Sequence, residues 1–221
     1  MTEEGQKKEG EKLLMDPRTG RPFQVLVTGP DNVGTQSAVL WLEHNVFIME
    51  IFAPIMFDEH PCTIEGVAVE VVDGPDVLLN PDNAHLVSDY EVYVRGAVGL
   101  LTIFDLAEPG RVPAAFTAVE KTQEMRARAG LPPLPCVAIG TRMDRPGHEE
   151  DFSTGRECAR AAADAHGVPF AEVNARTGEN VRSAFTDAIL SFVAPFTKIN
   201  DNESEDADAD SSHRRRGCTH Q

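Results

Sequence analysis

The sequence predicts an α/β fold, a doubly wound and mostly parallel sheet with helices on both faces. Two observations carry this. Short apolar runs recur along residues 21–196, and longer stretches with apolar residues at helical spacing lie between them. Strands joined through helices return parallel, and the helices then cover both faces of the sheet. Phe23–Thr28 is the first strand and leads into a Gly-rich turn. Ser37–Glu43 follows as a helix, with Val39, Leu40 and Leu42 apolar. Val67–Val72 is a strand, and Gly66 before it suits a hairpin turn from Cys62–Glu65. Leu100–Phe104 is apolar enough for a strand covered on both sides. Val112–Arg128 is helical and is stopped by Gly130 and Pro132-Pro133. Cys136–Ile139 is another buried strand. Ser153–His166 is a helix that Ser153 or Thr154 can cap and Gly167 stops. Pro169–Val173 is a short strand. Val181–Phe192 closes the order with Val181, Ala184, Phe185, Ala188, Ile189 and Phe192 on one helix face.

Composition sets the outer limits. Among 221 residues, 20 Lys and Arg stand against 36 Asp and Glu, a net charge of −16. That charge sets aside a general nucleic-acid binder, which needs basic surface to meet phosphates. No run approaches ~18 consecutive apolar residues, which argues against a membrane span. The charged N-terminus lacks the apolar core of a secretory signal, so a cytoplasmic protein is expected. Its cysteines, Cys62, Cys136, Cys158 and Cys218, are then expected to be reduced, and their spacing fits no zinc pattern. Residues 1–20 read as a flexible arm and 21–196 as the folded domain. Residues 197–221 read as a disordered tail, acidic and then basic.

Ligands of such sheets sit at the C-terminal ends of the strands, which directs attention to the loops after Thr28, Val72, Ile139 and Val173. The first loop runs from Gly29 through Asn32, Val33, Gly34, Thr35 and Gln36 to Ser37. Its glycine spacing is that of G-x-x-x-x-G-K-[ST], and it lies between a strand and a helix as that motif requires. Asp73-Gly-Pro-Asp76 follows the second loop's strand, in the manner of D-x-x-G. Thr141-Arg142-Met-Asp144 stands where N-K-x-D would be, and Asn174-Ala175-Arg176 where S-A-K would be. Phe47 lies beyond the first helix, and the chain ends in Cys218-Thr-His-Gln221. This ordered set resembles the Ras-like small GTPases over residues 21–196 and the C-terminal end. The resemblance implies a P-loop small G-protein fold.

It also implies a role for each matched position. The Gly29–Gly34 loop would wrap phosphates with backbone N–H groups. Asp144 would accept hydrogen bonds from guanine, the Ala175 N–H would donate to the guanine oxygen, and Phe47 would pack on the base. Asp73 is the one expected Mg²⁺ ligand that is retained. The departures are as informative. Thr35 replaces the lysine that meets the β- and γ-phosphates, and Gln36 replaces the Ser/Thr on Mg²⁺. Ser37 comes one residue late, a turn of ~100° on a helix. The switch-one threonine falls near Pro54, with Thr63 within reach only by a register shift. Asp76 replaces the glycine whose N–H meets the γ-phosphate, Pro75 before it has no N–H, and Val77 replaces the water-orienting glutamine. Asp31 puts an acid where the loop must approach phosphate. Against these roles stands the plainer reading that Gly29 and Gly34 only shape a tight turn, that Asp73 caps one, and that Phe47, Phe104 and Phe185 belong to the core.

From residue 22 to 94 there is no Lys or Arg, while twelve acids occur there, Asp31, Asp58, Asp73 and Asp76 among them. The expectation is therefore a Ras-like binding module in signalling, with GTP binding and hydrolysis lost or strongly weakened and no assigned catalytic residue. It would meet protein effectors through loops near 47–60 and 73–90. Two alternatives stay open: a divergent GTPase that takes GTP or GDP and Mg²⁺ at reduced affinity, with Asp31 or Asp76 recruiting the metal differently, and a doubly wound domain without guanine nucleotide. The resemblance further implies prenylation at Cys218, with Arg214, Arg215 and Arg216 adding attraction to the cytosolic face of a membrane.

Overall fold

A computed structural model describes residues 13–31, 33–45, 56–142 and 152–213, with the backbone alone for Arg142 and for 198–213. Six strands form one sheet: β1 (Phe23–Thr28), β2 (Asp58–Ile64), β3 (Val67–Asp73), β4 (Gly99–Asp105), β5 (Cys136–Arg142) and β6 (Phe170–Asn174). Their order is β2-β3-β1-β4-β5-β6. Only the β2–β3 pair is antiparallel, and the other four pairings are parallel. Five α-helices accompany them: α1 (Thr35–His44), α2 (Val87–Gly96), α3 (Val112–Arg128), α4 (Ser153–His166) and α5 (Val181–His213).

Side-chain alternation along the strands feeds both faces. Val25, Val27, Leu101, Ile103, Val137 and Ile139 pack with Ala38, Val39 and Leu42 of α1 and with Phe185, Ile189 and Phe192 of α5. On the opposite face Leu26, Val72 and Leu100 meet Tyr90 and Val94 of α2 and Val119 of α3. Phe104 and Ala138 meet Phe116 of α3 and Ala159 of α4. Phe104 and Phe185 are fully buried, as the plainer reading expected. Strand β4 is buried along its whole length, with Leu100, Leu101, Ile103 and Phe104 supplying the apolar run expected of a central parallel strand.

The β2–β3 hairpin turns through Glu65 and Gly66, both at positive φ (48° and 79°), the turn geometry whose twist matches the strands. Helix α3 has the predicted bounds, and Gly167 stops α4 in the left-handed conformation at φ 63°. The expected Ser153 or Thr154 cap is not used; Phe152 holds the N-cap position without a side-chain cap bond. Helix α1 begins at Thr35, two residues before the predicted start, because Gly34 serves as its N-cap at φ 84°.

Two segments differ from the sequence reading. Residues 14–20, expected to be part of a flexible arm, are fastened to the domain. The Leu14 amide donates to the Gly66 carbonyl (2.8 Å) and the Ala68 amide to the Leu14 carbonyl (2.9 Å). Asp16 is 2% exposed and bonds Arg18, whose guanidinium lies 5.0 Å from the Phe196 ring centre. Helix α5 continues past residue 196, where the tail was expected to begin, to His213. Once a helix is nucleated, each further residue adds a hydrogen bond at low cost. No described helix is long and apolar enough to cross a membrane.

Candidate functional site

The four loops singled out from the sequence do meet at one edge of the sheet. Parallel pairing places Thr28 beside Thr102, Leu26 beside Val72, Asp105 beside Thr141, and Arg142 beside Asn174. All five parallel strands therefore end together. The loop from Gly29 to Gly34 follows the strand flanked by β3 and β4, the switch point at which ligands of such sheets bind.

Close packing sets the path of that loop. Gly29 has φ 151°, and a Cβ there would stand 2.1 Å from the Ile103 carbonyl oxygen. Only glycine lets the chain pass β4 at this distance. Val33 is 1% exposed and is anchored in the α1/α5 core. Its carbonyl accepts the Thr141 hydroxyl, which is also within 3.1 Å of the Phe104 carbonyl. Thr141 thus ties β5 to the phosphate-type loop and is wholly buried. Thr35 and Gln36 occupy the first two positions of α1 and are half-buried. Ser37 is 3% exposed, turned into the interior as a one-residue offset on a helix requires.

On the other side of the edge, Asn174 forms the β6–α5 loop. Its Oδ1 accepts from the amides of Arg176 and Thr177, both at 3.0 Å. Ala175 is fully buried, and its carbonyl accepts the Trp41 indole N–H at 2.9 Å. The Trp41 ring also fills the space beside Gly178, where a Cβ would approach it to 2.8 Å. Trp41 therefore clamps this loop from α1. Arg176 is exposed. Asn32, Phe47, Pro54, Asp144, Arg214, Arg215, Arg216 and Cys218 lie outside the described residues, as does the side chain of Arg142.

Three carboxylates stand at the mouth of the loop. The Asp31 Oδ1 accepts the Asp76 amide N–H at 3.2 Å. Asp76 Oδ1 accepts the Leu78 and Leu79 amides at 3.2 and 2.8 Å. Asp73 is 4% exposed; its Oδ1 accepts the Gly74 amide at 2.9 Å, and its Oδ2 has no hydrogen-bond partner among the described residues. Burial pushes the Asp73 carboxyl up to about 6, with Asp58 and Asp31 adding repulsion against the Gly74 amide and His60. Burial also raises Asp76, and Asp31 reinforces it. Val77, at the position of the water-orienting glutamine, is 6% exposed and packs in the α2/α3 core.

A divalent cation at this edge would need several oxygen ligands. Asp73 offers one orphaned oxygen, Gln36 replaces a hydroxyl with an amide, and the Asp31 and Asp76 carboxylates already accept backbone amides. Among the described residues no group of three or more His, Cys, Asp or Glu is placed to hold a metal ion. Thr63, the other hydroxyl considered, pairs with Ala68, whereas Asp58 pairs with Asp73. Five residues of strand separate the two pairs, about 17 Å at ~3.4 Å per residue, so Thr63 is excluded from the site.

Sequence reasoning missed helix α2 and the Asp31–Asp76 bond. In α2 only Tyr90 and Val94 are fully buried, a four-residue spacing set among polar residues. The carboxylates at 31 and 76 were each seen as substitutions, but nothing in a sequence shows one accepting the other's amide.

Comparison with known proteins agrees with this architecture. The Ras family model matches residues 85–193. The chain is 24% identical to Ras-related protein O-RAL of Diplobatis ommata over 87% of its length and 88% of that protein's. It is 26% identical to Ras-related protein Ral-B of Rattus norvegicus, covering 82% and 84%. It is likewise 26% identical to Ras-related protein ralB-B of Xenopus laevis, covering 74% and 76%. The six-stranded sheet, the loop positions and these relatives agree in making the chain similar to the Ras-like small GTPases.

Proposed function

We propose that this chain acts in signalling as a protein-binding Ras-like module whose grip on GTP and GDP is lost or strongly weakened. The observation that carries the reading is the Asp31 carboxylate at the loop mouth, accepting the Asp76 amide at 3.2 Å. A nucleoside triphosphate brings about four negative charges to a loop without lysine. Two unit charges ~4 Å apart interact by ~4 kcal/mol at an effective dielectric of ~20. Exchanging one lysine attraction for one aspartate repulsion therefore shifts binding by several kcal/mol, and each 1.4 kcal/mol is about tenfold in affinity. Burial of Val77 supports weakened hydrolysis as well, because no polar side chain at that position reaches a water. Protein partners would meet the surfaces around residues 47–60 and 73–90, of which β2, Pro81–Leu86 and α2 form the described part. A prenyl group on Cys218 with Arg214–Arg216 would add a membrane anchor, read out as a farnesyl mass increment on the C-terminal peptide.

The intact frame favours a second reading, a divergent GTPase with residual affinity: Gly29 and Gly34 keep the loop's shape, and Ala175 and Asn174 keep the opposite one. Calorimetric titration with GDP and GTP, with and without Mg²⁺, separates the two. The module reading predicts no binding at micromolar nucleotide and none released on denaturing the purified protein. Stoichiometric GDP or GTP in that supernatant overturns it. The combined change Thr35→Lys, Gln36→Ser and Asp31→Gly is expected to raise GTP affinity by at least ~100-fold. No gain would show that the loop does not lie at a phosphate site.

A further inference from the structure

The segment after β3 is fastened along its whole length. Pro75 is buried, and Val77 packs with Tyr90, Leu26 and Val72. Gly74 lies so close to the Phe57 ring that a Cβ would stand 2.2 Å from it. The Asp76 side chain caps the turn at Leu78 and Leu79, and the Asp76 carbonyl accepts the Asn83 side-chain amide at 2.9 Å. The Leu78 carbonyl accepts the Lys121 ammonium of α3 at 2.6 Å.

Among the described residues one hydrogen bond joins this segment to the phosphate-type loop, the Asp76 amide on the Asp31 carboxylate. Repulsion from Asp73 and Asp76 would drive Asp31 outward, yet its carboxylate turns inward onto that N–H. A charged acceptor makes a stronger hydrogen bond than a neutral one, and here it meets a fixed backbone donor. An external anion entering the loop would have to take the same N–H from the carboxylate.

We propose that Asp31 is a built-in anionic latch, holding the Asp76 amide and with it residues 74–86 in one conformation while no ligand is bound. This deepens the module reading, because the face formed by Asp76 to α2 is then set by the chain itself rather than by a nucleotide. It does not depend on how weak nucleotide binding is.

The test is residue-resolved hydrogen exchange on the full chain freed of nucleotide, compared with Asp31→Ala and Asp31→Asn. In the wild type the Asp76 amide is expected to exchange slowly. In Asp31→Ala it should exchange about fivefold faster or more, as loss of one hydrogen bond of ~1 kcal/mol implies. Asp31→Asn keeps an acceptor oxygen without the charge and should restore protection only in part, while α3 amides stay unchanged in all three. Rapid exchange at Asp76 in the wild type overturns the latch even if a variant fails to fold, and so does equal protection in Asp31→Ala. Nucleotide content is measured separately, so failure of the latch and failure of the module reading are distinguishable.

Discussion

Replacing Asp73 with asparagine should stabilise the protein, and the gain should grow with pH. Asp73 is 4% exposed, its Oδ2 lacks a hydrogen-bond partner among the described residues, and burial raises its carboxyl from 3.8 to about 6. In the unfolded chain this group ionises near the ordinary value, so between pH ~4 and ~6 the folded state binds more protons than the unfolded state. Stability is therefore highest below the unfolded value and declines as pH rises through the folded one. Two pH units correspond to about 3 kcal/mol at full ionisation, since each unit is worth ~1.4 kcal/mol. Much of that range falls between pH 4.5 and 7.5, about 2 kcal/mol of it. The asparagine side chain cannot ionise, and any packing cost it brings is independent of pH. Urea unfolding of both proteins at pH 4.5 and 7.5, with chelator present, isolates the effect. The gap between variant and wild type should widen in the variant's favour by about 2 kcal/mol, near 1 M in midpoint for a slope of ~2 kcal/mol/M. A gap that stays constant, or that narrows toward pH 7.5, would refute the claim that this carboxyl is held buried against its charge.

Two further changes probe the frame. Trp41→Phe keeps the aromatic packing but removes the donor to the Ala175 carbonyl, and should cost about 1 kcal/mol; faster amide exchange should appear at residues 174–180 and not in β1. Arg126 is 4% exposed and gives its guanidinium to the carbonyls of Val94 (2.9 Å), Arg95 (3.2 Å) and Pro132 (2.9 Å). Arg126→Ala strips donors from the end of α2 and the α3–β5 connection at once. A loss of about 3 kcal/mol, or roughly 6–12 °C in Tm by thermal unfolding, is expected.

How far the sequence reaches can be seen at individual residues. The fold class was legible because β1, β4, β5 and α3 each bury their apolar residues with the period the chain displays, and Gly130 and Gly167 stop helices where a stop was expected. The loop edge was legible for the same reason, since parallel strands must end together. Helix α2 was not, because its buried set is only Tyr90 and Val94. Residues 14–20 read as an arm because their polarity hides one buried carboxylate, Asp16, that Arg18 satisfies. The site was legible as a list of substitutions and not as an arrangement. Asp31 and Asp76 are separated by 45 residues, and the bond between them follows from how the two loops are folded toward one another.

That separation bears on how the loop edge is fastened. Several contacts among the described residues fasten the candidate pocket from protein to protein. Gly29 lies against the Ile103 carbonyl, Thr141 reaches Val33 and Phe104, Trp41 holds Ala175, and Asn174 caps its own loop. None of these bonds uses an atom of phosphate, base or metal, so substitutions at 31, 35, 36, 76 and 77 leave the frame's own fastening in place. Charge is then free to change while geometry persists. Asp31 goes one step further by supplying, from within the chain, an anion for the amide at the loop mouth. A frame fastened this way should show the same protection in β1, β5 and β6 whether or not nucleotide is offered. Collapse of that protection in nucleotide-free protein would mean that a ligand, and not the residues named here, holds the edge together.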